Sequence, residues 1–212
     1  MDSELVFSIL FLVLFLLGTA IRGYYTRKVR ATRKKRSIRE RFKDTAQVEG
    51  KFGAILLMVQ GVYLIIALHL YLIFSSWLVW SKLPIPDWLR WLGVGVGMIS
   101  LPFLTWVQHV LGKHWTVSLE LREDHKLVTS DPYRWVRHPM YTVHLVYFLT
   151  WVLVSANLFL LINYLLTIIL MVVRIPKEEQ MMLDQFGHEY RAYMKRTRRL
   201  LPRFRREADK EE

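Results

Sequence analysis

Five long apolar runs decide what this 212-residue chain can become. They cover roughly residues 5–21, 52–80, 88–111, 140–155 and 158–173. About 20 mostly apolar residues in a helix cross a bilayer core, and backbone polar groups in lipid must be satisfied within the segment itself. The expected fold is therefore an all-α integral membrane protein with about five transmembrane helices. The last two runs are short and separated only by Ala156-Asn157, which predicts a tight helical hairpin. Too little chain remains for a separate soluble core.

The charges give the expected orientation. Of 30 Lys and Arg, twelve lie in 22–51, five in 113–137 and eleven from 174 onward, leaving only Lys82 and Arg90. Cations flanking membrane spans mark the cytoplasmic side, so the amino terminus is expected outside and the carboxyl terminus and large polar segments inside. Asp2 and Glu4 suit an outer start. The first apolar run has no basic stretch before it and one behind it, the pattern of an anchor more than of a cleaved signal peptide. With no cysteine, disulfides, thiol catalysis and cysteine metal sites are excluded. The basic stretch 24–43, centred on Arg33-Lys34-Lys35-Arg36, is expected to hold anionic headgroups of membrane lipids. Nucleic-acid binding would need a reader fold beside it, and none is visible in the sequence.

Pro84 and Pro86 predict the short outer turn between the second and third spans, and Pro102 a kink inside the third. Residues 112–137 form a polar connection too long for a simple turn, closing in Thr129-Ser130-Asp131-Pro132-Tyr133. After the fifth run, Pro176-Lys177-Glu178-Glu179 reads as a new helix start. Met182, Phe186, Tyr190 and Tyr193 continue it as an amphipathic stripe, bent near Gly187. The expected regions are an N-terminal three-helix membrane region with a basic loop (1–111), a chemical core (112–202) and a charged tail (203–212).

Two clusters could carry chemistry. The first, Tyr133-Arg134-Trp135-Val136-Arg137-His138-Pro139-Met140-Tyr141, enters the fourth span from the basic side. Each member has an ordinary reading as an interfacial anchor, with Pro139 in a helix's first turn. The second is Arg174, Glu178 and Glu179, where the fifth span leaves the bilayer. Arg174 and Glu178 are spaced to pair on one helix face, and ionisable groups at membrane depth are functional suspects.

These motifs together resemble the isoprenylcysteine carboxyl methyltransferase family. The resemblance rests on His125-Lys126-Leu127-Val128-Thr129-Ser130-Asp131-Pro132-Tyr133 running into Arg137-His138-Pro139-Met140-Tyr141. It continues in Arg174, Glu178-Glu179, Phe186-Gly187, Glu189-Tyr190, Tyr193 and Leu201-Pro202, covering roughly residues 109–202. One departure is Asp131, where the family usually has glycine; aspartate tolerates a left-handed backbone there.

The resemblance implies S-adenosyl-L-methionine as methyl donor, in a cytosol-facing pocket. Carried over by motif position, His125, Lys126, Leu127 and Val128 would line it, Tyr133 would pack on it, and His138, Pro139, Met140 and Tyr141 would form a wall. Glu178 would accept hydrogen bonds from the donor, Ser118 would add a polar contact, and Arg174 would hold the acceptor. The implied acceptor is the C-terminal carboxylate of a prenylated cysteine or a similar lipophilic acid entering from the bilayer. A carboxylate is already ionised at neutral pH, so no general base is needed. Alternatives are a phospholipid amine N-methyltransferase, a sterol-reductase-like protein, or a non-enzymatic membrane scaffold; an arginine clamp favours a carboxylate over an amine.

Overall fold

The computed structural model describes residues 3–30, 37–74, 77–111 and 127–202. Five α-helices follow in chain order: α1 (Ser3–Arg30), α2 (Ile38–Phe74), α3 (Asp87–Leu111), α4 (Pro139–Ser155) and α5 (Leu158–Arg196). There is no strand among the described residues, only two isolated bridges. The molecule is an all-helical integral membrane protein. Among the described residues four helices are long and apolar enough to cross a bilayer, while α4, with 17 residues, is a shorter apolar helix. The basic tetrad Arg33-Lys34-Lys35-Arg36 and the tail 203–212 lie outside the described residues.

Lipid is as apolar as leucine, so helices in a membrane associate through close packing and interhelical hydrogen bonds more than through the hydrophobic effect. The α3–α4 seam shows how. A Cβ on Gly93 would stand 2.7 Å from Leu153 Cβ, and one on Gly97 2.9 Å from Leu14 Cδ1 of α1. The two glycines, one helical turn apart, let α1 and α4 approach the α3 backbone. Gly18 does the same for Tyr147, whose hydroxyl donates to the Leu14 carbonyl at 2.6 Å. Phe7, Phe11, Tyr71, Trp151 and Leu160 close the core around this point.

One end of the bundle is tied by polar contacts that the sequence distributes over four segments. Arg90, 3% exposed, donates through Nε to the Val154 carbonyl and through both Nη atoms to Glu4. Its guanidinium also covers the Phe7 ring at 3.9 Å. In the hairpin, Ala156 takes a left-handed backbone (φ 46°), and Asn157 caps α5 by accepting from the Phe159 N–H. The Asn157 amide donates to Ser81 Oγ, and the Leu83 N–H donates to the Ala156 carbonyl. The expected short turn over Pro84 and Pro86 therefore closes against the hairpin.

Three local expectations need correction or refinement. Pro176 does not begin a new helix: α5 runs through it and leaves helical geometry only at Gly187 (φ 50°, ψ −117°). A proline removes one N–H bond and crowds the preceding turn, yet the helix on both sides is held by its packing. The bend expected near Gly187 is present. α3 likewise continues past Pro102. Asp131 does not use a left-handed backbone; Ala156 is the only non-glycine residue with positive φ among those described, and the turn passes through a cis Asp131–Pro132 bond. Arg134 pairs with the Asp131 carboxylate across that turn.

Candidate active site

At the end opposite the Arg90 clamp, α5 extends past its apolar run, and its far part folds back over the start of α4. The backbone following α5 pairs with the residues before α4: the N–H groups of Arg137 and His138 donate to the carbonyls of Arg198 and Arg199 at 2.8 and 3.0 Å. Thr142 Oγ1 donates to the Leu200 carbonyl at 2.7 Å, and the Tyr193 hydroxyl to the Tyr133 carbonyl at 2.6 Å. The carboxyl-terminal segment is thereby fastened across the motif that begins α4.

The adjacent glutamates Glu178 and Glu179 diverge in their tasks. Glu179, 3% exposed, accepts from Arg137 Nε at 2.9 Å and from Arg199 at 2.8–2.9 Å. Arg137 also donates to the carbonyls of Met194 and Thr197. This is a closed network that locks the segment down. Glu178 faces the other way, into a cavity. It accepts from the Tyr141 hydroxyl, and its Oε1 lies 3.8 Å from Arg174 Nη2.

His138 stands between the two carboxylates. Its Nδ1 is 3.4 Å from Glu178 Oε2, and its Nε2 is 3.4 Å from Glu179 Oε1, too skewed there for a hydrogen bond. Burial pushes its pKa down, but Glu178 and Glu179 outweigh burial, and the imidazole keeps its proton above its ordinary range. Burial pushes the nearby Tyr133 phenol up, so it remains a neutral aromatic wall.

These groups cap a cavity of about 890 Å³ bounded by all five helices, α3 contributing Leu104 and Leu111, and by the turn before α4. Its wall changes character along its length. Phe15, Leu64, Leu68, Phe148 and Trp151 line the part within the bundle, whereas Arg22, His138, Tyr141, Arg174 and Glu178 line the end near the α5 extension. One continuous space therefore offers an apolar sleeve and a charged head.

Of the residues singled out from sequence, Leu127, Val128, Tyr133, His138, Met140, Tyr141, Arg174 and Glu178 all line this cavity. Pro139 does not line it; it is buried in the first turn of α4, where its fixed φ starts the helix. Ser118, His125 and Lys126 lie outside the described residues. Sequence reasoning missed Arg22 and His144. Arg22 Nη1 donates to His144 Nε2 at 3.0 Å, while His144 Nδ1 donates to the Met140 carbonyl at 2.7 Å. The available signal was His144 itself, an ionisable residue inside an apolar span.

Comparison with known proteins adds a family match and a similarity of fold. Residues 93–184 match the profile of the isoprenylcysteine carboxyl methyltransferase family. Among solved structures, the chain is similar in fold to the eukaryotic intramembrane Ras methyltransferase ICMT, with a TM-score of 0.54 at 23% identity. The alignment covers 68% of this chain and 52% of that one, so the present chain spans about half the length of its structural relative. No curated protein matches.

Proposed function

We propose that this chain, which matches the isoprenylcysteine carboxyl methyltransferase family across residues 93–184, is a member of that family and transfers a methyl group from S-adenosyl-L-methionine to the carboxylate of a prenylcysteine-like lipid at the cytosolic membrane face. The observation that carries this reading is the single cavity with an apolar sleeve and a charged head. A lipid-tailed acid and a water-soluble sulfonium need both environments in one place.

The residues present suit that donor. Glu178 offers a carboxylate toward a molecule bearing sulfonium and ammonium groups, and Tyr133, Met140 and Tyr141 offer aromatic and polarizable walls. When bound, the donor supplies an electrophilic methyl: a carboxylate oxygen bonds to its carbon as the carbon–sulfur bond breaks and the electron pair stays on sulfur. No proton changes hands, which accords with a site built from fixed charges. Arg174 can hold the acceptor carboxylate through charge-assisted hydrogen bonds, and Tyr141 holds Glu178 in place. The segment docked after α5 fixes the backbone of Arg137 and His138 beside the head of the cavity, and a site closed to water would favour transfer between opposite charges.

The test uses purified protein in detergent, titrated with S-adenosylmethionine and assayed with labelled donor on S-farnesyl-N-acetylcysteine and on phosphatidylethanolamine. His138→Ala and Tyr141→Ala should weaken donor binding. Arg174→Ala should lower transfer to the farnesylated acid by roughly 10- to 150-fold, from about 1.5–3 kcal/mol of charge-assisted bonding, with donor affinity retained. Arg174→Lys should recover part of the loss, since it lacks the planar fork. Transfer to the phospholipid amine alone would replace the carboxylate reading with an amine one, and absence of donor binding would end the enzymatic reading.

A further inference from the structure

The sleeve of the cavity carries a hydrogen-bonded pair that joins two helices. Gln60 of α2 donates through Nε2 to Thr167 Oγ1 of α5 at 2.5 Å, and both side chains line the cavity. Gln60 lies near the middle of the apolar span Gly50–Phe74, a depth at which lipid supplies no hydrogen bonds. Among the described residues lining the cavity it is the one side-chain amide. Thr167 and Arg174 are seven residues apart on α5, which is helical throughout that stretch. They therefore share a face and differ in depth by about 10 Å.

Thr167 fixes the direction of this bond. Its own hydroxyl proton goes to the Asn163 carbonyl, one turn back, at 2.9 Å, so towards Gln60 it accepts. The atom of Gln60 that faces it is therefore the amide nitrogen, and the carbonyl oxygen is held away from Thr167. A carboxamide has two N–H donors and an oxygen with two lone pairs, and this contact uses one N–H. The oxygen and the second N–H meet no partner among the described residues. Leaving such groups unmatched in an apolar wall is costly, and a tie between α2 and α5 needs the one donor alone.

Resting on the reaction proposed above, we infer that Gln60 recognises a hydroxyl on the acceptor's tail, about 10 Å from the carboxylate held at Arg174, and that Thr167 is the residue that positions it. The ligand class is a lipophilic acid with one hydroxyl partway along its tail. A hydroxyl both donates and accepts, so a single group can give its proton to Gln60 Oε1 and take the second N–H of Nε2. In an extended S-farnesylcysteine the matching depth falls at the second isoprene unit. A tail of hydrocarbon alone would leave the amide unmatched. The pair therefore ranks tails, a choice that charges at the head of the cavity cannot make.

The experiment uses S-farnesyl-N-acetylcysteine and analogues with one hydroxyl on the first, second or third isoprene unit. Each competes with the labelled parent acid on detergent-purified wild type, Gln60→Met and Thr167→Val, with donor affinity and thermal stability measured on the same samples. On wild type the second-unit alcohol should bind about three- to tenfold better than the first- and third-unit alcohols, a comparison in which the general cost of a hydroxyl in an apolar sleeve cancels. Gln60→Met, similar in volume and without the amide, should erase that maximum. Thr167→Val should keep part of it, and donor affinity should stay within about twofold throughout. Equal binding of the three alcohols by wild type overturns the proposal, and that result needs no variant to fold. A maximum that survives in Gln60→Met also overturns it. So does a Gln60→Met protein that loses stability but ranks the tails as wild type does, which would make Gln60 a tie between helices and nothing more. Wild type that ranks the tails yet methylates none of the acids removes the reaction and leaves the tail recognition standing; methylation without ranking removes the recognition alone.

Discussion

Glu178 and Glu179 are neighbours in sequence and opposites in role, and the difference is one of surroundings. On a helix, consecutive side chains point about 100° apart, so one carboxylate can face a cavity while the next faces the docked chain. Glu179 is enclosed by Arg137 and Arg199, with Arg137 also buried. Removing one partner of a buried pair leaves the other charge uncompensated, which costs more than the pair itself contributes. Glu179→Gln should therefore destabilise the folded protein by about 3 kcal/mol, with Arg199 adding little because its side chain is half exposed. Glu178→Gln should leave stability nearly unchanged and weaken donor binding. Thermal unfolding in detergent and donor titration on both variants check this, and a Glu179→Gln protein of wild-type stability would remove the structural role argued here. The sequence motif marks the pair but not the division of labour, because nothing in a Glu-Glu dipeptide says which side the arginines come from.

At the scale of helices, glycine spacing sets which elements touch. Gly93, Gly95 and Gly97 sit on the same helix, yet only Gly93 and Gly97 face neighbours. A methyl group on Gly93 meets the Leu153 Cβ, an atom fixed to the α4 backbone, so the helices must part. Gly93→Ala should cost about 1–3 kcal/mol, the usual range for overpacking. Gly95→Ala meets nothing within 4 Å and should be neutral or slightly stabilising, since alanine favours a helix by up to about 1 kcal/mol over glycine. Comparing the two in one detergent removes most effects of the solvent, and equal behaviour of the two variants would refute the packing argument. The five apolar helices and the hairpin at Ala156-Asn157 were legible from hydropathy and spacing, whereas the bounds of the second were not: α2 runs Ile38–Phe74 and stops short of the expected residue 80. The continuation of α5 through Pro176 was not: local rules favour a break there, and the packing that overrides them is invisible along the chain.

For the whole molecule, polarity separates the two ends. Among the described residues, one carries the Glu4–Arg90–Lys82 cluster and the hairpin, and the other carries the cavity head and the docked carboxyl-terminal segment, with Arg22, Arg137, Arg174 and Arg199. The motif half of the site was legible because α4 and α5 each bring their residues to one helix end, within reach of each other. The other wall was not, since hydropathy identifies α1 and α2 as spans without saying that Arg22 would turn into a cavity shared with Arg174. The proposed orientation, with the cavity head in the cytosol and the Arg90 end outside, follows from charge asymmetry, Lys and Arg being retained on the cytoplasmic side. The absence of native cysteine makes this directly measurable. Single cysteines at Ser37, Val79 and Leu201 all replace exposed side chains. In intact cells a membrane-impermeant thiol reagent should label Val79→Cys, and should reach Ser37→Cys and Leu201→Cys only after the membrane is opened. The opposite pattern would turn the active site outward, where a cytosolic methyl donor could not reach it, and would overturn the proposed reaction together with the topology.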